Sequence, residues 1–264
     1  MPMSLRVEGR SPLSGVYKPS GNANAAQALL AAALLSEASV TLRNMPRTLS
    51  TQAMIAIAGG LGASMEWDAD ALRISSVQIT RRTLAQTDTD ASVGALLFVA
   101  PMLIRRQHVR LEIDFPLNRI RTHLEALRDL GIDVLMGSDA VEFKSTSWDT
   151  KDIVLTQASV TATALVMMLA TRLGKQTTIH NAACEPHIQE LGSLLNAMGA
   201  KIDGIGSNVL HIAGVSELGG AEATICPDHI EAASVAAIAA LSGGRVQIEG
   251  IRMKDMRVIA KIYW

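Results

Sequence analysis

A glycine-centred landmark recurs at nearly constant spacing and constrains the fold more than any other feature of the sequence. A Leu/Met-Gly-Ala/Ile tripeptide occurs around Gly62, Gly131 and Gly199, which are 69 and 68 residues apart. Each glycine stands between an apolar, helix-like segment and a short alternating segment, where a helix C-cap favours a residue that tolerates positive φ. The spacing predicts an internal repeat of about 68 residues.

The segments between the landmarks predict one unit with the order helix, strand, helix, strand, strand. The first helices of the units are predicted at Asn24–Leu35, Ala91–Ile104 and Val160–Leu173. The strands that follow them are predicted at Ser39–Arg43, His108–Ile113 and Gln176–His180. A fourth copy begins at Asp228, continues in a strand at Arg245–Glu249 and enters a helix around Met253–Ala260. Three complete units and one partial unit are therefore expected.

The first helices carry small apolar residues on most of their faces, which predicts that they are buried on nearly every side. Aromatic side chains are scarce, with three Phe, three Trp and two Tyr in 264 residues, so aliphatic residues and methionine must form the core. Three such units would close into one α/β lobe with helices inside and sheets outside. A doubly wound sheet is the alternative, but it does not explain a strand pair after every second helix.

Composition and motifs exclude several classes of function. Lys and Arg number 24 against 25 Asp and Glu, so no bulk charge attracts nucleic acid or an anionic membrane. The six histidines are scattered, and no nucleotide-loop or metal motif is present, so we expect neither a metal nor a cofactor. These features predict a soluble cytoplasmic protein. Cys184 is expected to be a buried, inert thiol, and Arg105 and Arg106 a solvated helix end.

Three local stretches resemble the UDP-N-acetylglucosamine enolpyruvyl transferase family. They are SGNANAA at Ser20–Ala26, NAACEPHI at Asn181–Ile188 and PDHIE at Pro227–Glu231, where the family has SGAKNAA, NAAREPEI and PDRIE in the same order. The resemblance implies the enolpyruvyl transferase fold, with two lobes and a substrate cleft between them. It implies one complete lobe at residues 22–222 and an incomplete lobe formed by residues 1–21 and 223–264. The segment 1–21 is expected to contain strands at Leu5–Gly9 and Gly15–Lys18.

The resemblance also implies site residues, several of which depart from the family pattern. The family's lysine falls at Ala23, whereas Asn24, which in the family contacts the nucleotide sugar, is kept. The loop that carries a reactive cysteine or aspartate in the family is shorter here and has neither cysteine nor glycines. The histidine of the family's loop aligns with His123, and the arginine of that loop aligns with Asn118. Arg119 or Arg121 could replace this arginine; the alternative is that both are solvated cations at a helix start.

Further implied contacts lie at three other helix starts. Ser159, Val160 and Thr161 match a stretch that binds the uridine diphosphate in the family, and a helix N-terminus there would favour a phosphate. Ser159 serving only as an N-cap is the equal alternative. Glu185 keeps a family carboxylate, as do Asp228 and Glu231, although capping explains Asp228 without any ligand. Cys184 replaces an arginine of the family.

The family transfers the enolpyruvyl group of phosphoenolpyruvate to UDP-N-acetylglucosamine in peptidoglycan precursor synthesis. Because the implied phosphoenolpyruvate-binding and catalytic positions are largely lost, catalysis by this chain alone stays open. The alternatives are an inactive or repurposed homologue that binds a nucleotide sugar or a protein, and an enzyme of different chemistry. The partial unit predicts exposed apolar surface around Ile230–Leu241, and hence a homo-oligomer, a completing partner chain or docking of the partial unit on the complete lobe.

Overall fold

A computed structural model describes residue 6, residues 8–9 and residues 11–262. The chain divides into two compact units, Ala23–Ile225 and the pair of segments Met1–Asn22 and Cys226–Trp264. The α-helices are α1 (Ala23–Ala33), α2 (Leu49–Gly60), α3 (Gln86–Ala91), α4 (Val99–Arg106), α5 (Arg121–Asp129), α6 (Val160–Leu173), α7 (Pro186–Ala197), α8 (His229–Ser242) and α9 (Arg257–Ile262). Two 3₁₀ turns lie at Val93–Phe98 and Leu117–Ile120.

The β-strands are short, as is usual for small sheets packed on helices. They are β1 (Ser14–Tyr17), β2 (Val40–Arg43), β3 (Ser64–Asp68), β4 (Ala71–Ser75), β5 (Thr83–Leu84), β6 (His108–Glu112), β7 (Asp133–Met136), β8 (Ala140–Lys144), β9 (Trp148–Val154), β10 (Gly174–His180), β11 (Lys201–Asp203), β12 (Val209–Ala213), β13 (Ala221–Thr224) and β14 (Arg245–Ile248). The part of the predicted strand Leu5–Gly9 at residues 5 and 7 lies outside the described residues.

Three four-stranded sheets in the larger unit share one arrangement. Their strand orders are β13-β2-β4-β3, β5-β6-β8-β7 and β9-β10-β12-β11. In each sheet the first pair is parallel and the other two pairs are antiparallel. The first strand of each sheet was absent from the predicted unit. In the first sheet that strand is β13, which pairs with β2 from a distant part of the chain. The smaller unit holds the parallel pair β1-β14.

The core of the larger unit lies among its helices. Every residue of α6 from Ala162 to Thr171 is buried, and α1 is almost as fully enclosed. Phe98 and Phe143 are the largest of the fully buried side chains. The predicted mixed α/β class with buried helices is therefore confirmed. Gly62, Gly131 and Gly199 have φ values of 105°, 87° and 104°, which confirms why glycine ends these helices.

The prediction of one helix over Ala91–Ile104 is wrong in its first half. Ser92 has extended backbone angles (φ −159°, ψ 128°), and its Oγ accepts a hydrogen bond from Gly94 N at 3.1 Å. This starts the 3₁₀ turn instead of continuing α3. A Cβ atom on Gly94 would lie 2.0 Å from Gln27 Oε1, so a larger residue at this position would require the Gln27 side chain of α1 to move. Local capping and tertiary packing thus override the apolar helical pattern.

Candidate functional site

A polar cleft in the larger unit brings together several residues that the sequence singled out. Its volume is about 300 Å³. The residues that line it come from the 3₁₀ turn before α5, from the start of α5 and from the turn before α6: Asn118, Arg119, Arg121, Thr122, His123, Thr156, Gln157 and Ser159. Five predicted site residues therefore share one cavity, and Thr161 contacts it through His123.

The 3₁₀ turn before α5 positions the first cation of the cleft, Arg119. Pro116 lies in the extended conformation before this turn, and the carbonyl of Asn118 accepts a hydrogen bond from the N–H of Arg121. Arg119 is exposed, and its Cζ lies 6.0 Å from the centre of the Phe115 ring. A guanidinium at this distance gains a weak cation–π interaction. Arg119 is therefore held at the rim and leaves its N–H groups available to an anion.

An ion pair fixes the second cation, Arg121. Its Nε lies 2.6 Å from Glu125 Oε1, one helical turn along α5. Thr156 Oγ1 donates to the other oxygen of Glu125 at 2.9 Å and so ties α5 to the turn before α6. The hydrogen bonds from Arg121 and Thr156 lower the pKa of Glu125. Because the Arg121 side chain is 75% exposed, the pair adds little stability but does orient the guanidinium.

A buried histidine forms the floor of the cleft. His123 is 7% exposed, and its Nε2 lies 2.7 Å from Thr161 Oγ1. Burial lowers the pKa of His123 to about 4. The imidazole is therefore neutral near pH 7 and forms one hydrogen bond with Thr161. It contributes hydrogen bonding and shape to the cleft without contributing a positive charge.

The N-terminus of α6 borders the cleft. Ser159 Oγ accepts a hydrogen bond from Ala162 N at 3.3 Å, so Ser159 is the N-cap of this helix. The carbonyl of Ser159 accepts from the Thr163 hydroxyl at 2.8 Å. The N-cap role of Ser159 is therefore confirmed, and Ser159 also lines the cleft, whereas its binding of a phosphate stays a prediction. Val160 is the first residue of α6.

The other predicted site residues lie at further helix starts. Asn24 is exposed in the first turn of α1, and Glu185 is the exposed N-cap residue of α7. Neither lines the cleft. In the smaller unit, Asp228 caps α8 by accepting from the N–H groups of Ile230 and Glu231, as capping predicted. Glu231 accepts hydrogen bonds from the Tyr17 hydroxyl and from both Ser20 N and Ser20 Oγ. Its carboxylate therefore links α8 to β1 and to the segment that follows β1.

Sequence reasoning missed Thr156 and Gln157 in the cleft lining. Both follow β9, the strand that was not predicted, so the turn from β9 to α6 was not anticipated either. A signal was present in Ile153, Leu155 and the serine cap at Ser159, which together mark a strand that ends at a helix start. Thr122 was missed because it lies between two residues that were chosen for their charge or ring nitrogens.

Two predictions outside the cleft are corrected. Cys184 is exposed at the end of the loop between β10 and α7, although the two alanines that precede it, Ala182 and Ala183, are buried. Arg105 is not a solvated helix end: its side chain is only 12% exposed and donates to the carbonyls of Ser76 and Val77 at 2.6 Å each. These carbonyls have no partner in a strand at that point, so the guanidinium satisfies them.

Among the residues that the structure describes, no three His, Cys, Asp or Glu side chains are grouped so as to hold a metal ion. In the same residues, no helix is both long enough and apolar enough to cross a bilayer.

Comparison with known proteins places the chain in a family. The family of EPSP synthase (3-phosphoshikimate 1-carboxyvinyltransferase) matches residues 7–263. Two similar relatives are UDP-N-acetylglucosamine 1-carboxyvinyltransferases, from Bradyrhizobium diazoefficiens (36% identity, 98% of this chain and 61% of the relative) and from Treponema denticola (36% identity, 95% and 60%). The chain therefore spans about 60% of the length of the curated relatives it matches.

Solved structures show the same fold at lower identity. The enolpyruvyl transferase NikO from Streptomyces tendae superimposes with a TM-score of 0.76 at 20% identity, over 86% of this chain and 55% of that one. EPSP synthase from Acinetobacter baumannii gives a TM-score of 0.66 at 15% identity, over 85% and 52%. The chain thus has the enolpyruvyl transferase fold and belongs to the EPSP synthase (3-phosphoshikimate 1-carboxyvinyltransferase) family, with UDP-N-acetylglucosamine 1-carboxyvinyltransferases among its homologues.

Proposed function

We propose that this chain binds a nucleotide sugar of the UDP-N-acetylglucosamine class in the cleft between the starts of α5 and α6, and that it does not complete enolpyruvyl transfer by itself. The observation that carries the proposal is the gathering of Arg119, Arg121, His123 and Ser159 around one cavity of about 300 Å³. The homologues are named for a nucleotide-sugar substrate, which makes this ligand class the first to test.

The charges of the cleft suit a diphosphate. Arg119 and Arg121 provide two cations at the rim, and the N-terminal end of α6 adds the positive end of a 14-residue helix. Glu125 offsets part of this charge, since it pairs with Arg121. A phosphate oxygen in the cleft would compete with Glu125 for the Arg121 guanidinium. Charge-assisted hydrogen bonds of this kind contribute about 1.5–3 kcal/mol each.

The hydrogen-bonding groups around the cations suit a polar, uncharged part of the ligand. Asn118 and Gln157 each offer an amide, and Thr122 and Thr156 each offer a hydroxyl. His123 lines the cleft as a neutral ring near pH 7, since burial lowers its pKa to about 4, and its Nε2 is hydrogen-bonded to Thr161. Such groups recognise a sugar or a base edge by hydrogen bonding.

The residues of this chain supply few of the groups that the transfer requires. The reaction needs cations around the phosphate and carboxylate of phosphoenolpyruvate and an acid that protonates the enol carbon. Ala23 stands at the family's lysine position, and the segment Asp114–His123 has no cysteine. His123 is held neutral and buried. We therefore assign ligand binding to this chain, but not the enolpyruvyl transfer, which requires groups that these positions do not supply.

Isothermal titration calorimetry with UDP-N-acetylglucosamine tests the binding. We expect the unaltered chain to release or take up heat, and Arg119→Ala combined with Arg121→Ala to weaken binding by at least about tenfold. Arg73→Ala removes an exposed arginine from β4, away from the cleft lining, and should leave affinity unchanged.

Three results would overturn the proposal in different ways. Absence of heat at millimolar UDP-N-acetylglucosamine would remove the nucleotide-sugar ligand. Phosphate release from phosphoenolpyruvate in the presence of that sugar, by the purified chain alone, would instead show that the transfer is complete here. Binding that is unaffected by the double arginine variant would place the ligand outside this cleft.

A further inference from the structure

A second polar cavity lies at the end of the larger unit where helices α1, α4 and α6 finish. Its volume is about 380 Å³, within the range of about 300–1,000 Å³ that is usual for small-ligand sites. Helix α4 contributes Arg105 and Arg106 to its lining, and α6 contributes Arg172. The candidate cleft lies at the opposite end of α6, about 20 Å away along a helix of 14 residues. We call this second cavity the arginine pocket.

Arg105 is held by neutral acceptors and has little counter-charge. Its guanidinium donates to the carbonyls of Ser76 and Val77 at 2.6 Å each and to that of Leu34 at 3.3 Å. Among the described residues, the one carboxylate within 4 Å is that of Glu37, at 3.5 Å and on a side chain that is 73% exposed. Burial lowers the pKa of Arg105, and Glu37 offsets this only in part. Because arginine stays protonated in proteins, the pocket contains a positive charge that the chain neutralises poorly.

The other two arginines of the pocket lack acidic partners. Within the described part of the chain, neither Arg106 nor Arg172 forms an ion pair, and Arg172 donates to the carbonyl of Ser216. The Nε atoms of both arginines are buried and have no hydrogen-bond partner among the same residues. Buried N–H groups in proteins are normally paired. Two guanidinium groups of one cavity therefore keep charge and donors that no side chain of the described chain uses.

The surroundings of these arginines favour an anion on balance. Three guanidinium groups and two carboxylates, those of Glu37 and Glu217, leave a formal charge of +1 in the lining. Both carboxylates are exposed, where water and salt screen them. The carboxyl ends of the three helices oppose an anion, but this effect is smaller than that of a charge-assisted hydrogen bond. Leu35, Ile79 and Leu218 are buried in the lining, and near them the attraction between charges is screened less.

We propose that the arginine pocket is a second ligand site, which binds a phosphate group through Arg106 and Arg172. Guanidinium groups recognise phosphate through paired N–H···O bonds, and a tetrahedral phosphate has enough oxygens for two such groups at once. Gln78 also lines the pocket and offers an amide N–H to a further oxygen. A carboxylate has only two oxygens for these three side chains. Free phosphate and a phosphate monoester share the chemistry that the pocket recognises.

Calorimetry in a background that removes the cations of the candidate cleft tests the site. Inorganic phosphate is titrated into the full chain that carries Arg119→Ala and Arg121→Ala, so that the cleft does not contribute to the heat. We expect phosphate to bind in this background, and the addition of Arg106→Gln to weaken that binding by about tenfold or more. Arg82→Gln removes an exposed arginine outside the pocket and should leave the binding unchanged.

Further measurements make the result independent of the folding of one variant. Arg106→Lys keeps the positive charge without the paired N–H groups, and it should bind phosphate more tightly than Arg106→Gln. In the chain with Arg106 unaltered, saturating phosphate should slow hydrogen exchange at residues 104–106 and 216–218, which line the pocket. Glycerol 3-phosphate is the second probe. Tighter binding than that of inorganic phosphate assigns the pocket to a monoester, and weaker binding assigns it to free phosphate.

The proposal fails if millimolar phosphate gives no heat in the background without Arg119 and Arg121. It also fails if Arg106→Gln binds phosphate as tightly as its parent while circular dichroism shows that both are folded. Loss of UDP-N-acetylglucosamine binding bears only on the candidate cleft, because the two cavities lie at opposite ends of α6.

Discussion

Helices α6 and α8 have the same length and a similar small-residue composition, yet their surroundings differ greatly. Both have 14 residues, with the sequences VTATALVMMLATRL and HIEAASVAAIAALS. Ten residues of α6 are buried, against three of α8. Helix α6 is enclosed by α4, α5 and α7 in the larger unit, whereas α8 packs against β14 in the smaller one. The composition of a helix therefore predicts that it can be buried, but the elements packed around it determine whether it is buried.

The largest expected difference between the two helices is in the cost of deleting a leucine side chain. Leu169→Ala in α6 empties a fully buried position and should lower the free energy of unfolding by about 2–5 kcal/mol. Leu241→Ala in α8 changes a side chain that is 89% exposed and should cost less than about 0.5 kcal/mol in the monomer. Urea unfolding at low protein concentration measures both values.

Equal costs for the two leucine variants would contradict the comparison.

The next largest expected effect is a loss of stability at acid pH, caused by His123 at the floor of the cleft. His123 contacts Thr161 of α6, and burial lowers its pKa from 6.5 to about 4. The unfolded chain takes up the proton first, so the stabilisation is complete above pH 6.5 and is lost as the pH falls towards 4. The full effect is about 3 kcal/mol. Unfolding measured from pH 7 to pH 4 should show it.

A variant identifies His123 as the source. His123→Gln retains a group that bonds to Thr161 and should flatten the dependence of unfolding free energy on pH in this range. His211→Gln changes an exposed histidine and should leave the dependence intact. An unaltered pH dependence in His123→Gln would refute the assignment.

The smallest effect concerns the N-caps of the two helices. Ser159→Ala and Asp228→Ala each remove a side chain that accepts from helix N–H groups, at a cost of about 1 kcal/mol. Because α6 lies in the core, the loss at Ser159 should lower global stability. Because α8 is mostly exposed, the loss at Asp228 should appear as faster hydrogen exchange in its first turn. Similar exchange patterns in both variants would show that the two helices share one cooperative unit.

Much of the fold followed from local patterns. The three glycines, the apolar helices and the strand pairs after them depend on chain-local geometry, and most of their bounds agree to within a few residues. Strands β5, β9 and β13 escaped prediction because their partners are non-local. The polar run Ala-Glu-Ala-Thr of β13 has no strand pattern of its own and is ordered by pairing with β2. Strand formation of this kind depends on the neighbour more than on the residues.

The candidate site divides in the same way. The resemblance to a family indicated Arg119, Arg121, His123 and Ser159, since each stands in a recognisable stretch. It gave no sign that Thr156 would join Arg121 through Glu125, because that contact crosses from the turn after β9 to α5. The expectation of a buried Cys184 was wrong as well, since the chain reaches the surface at this residue directly after two buried alanines, Ala182 and Ala183.

The sequence by itself determined most of the helical segments, the glycines that end them and the family that the chain resembles. These properties depend on dihedral preferences and on residue spacing along the chain. Only the tertiary structure decided which of the small-residue helices is enclosed and why His123 is neutral. Burial, desolvation and strand pairing arise from groups that are distant in sequence, so a chain-local pattern does not contain them.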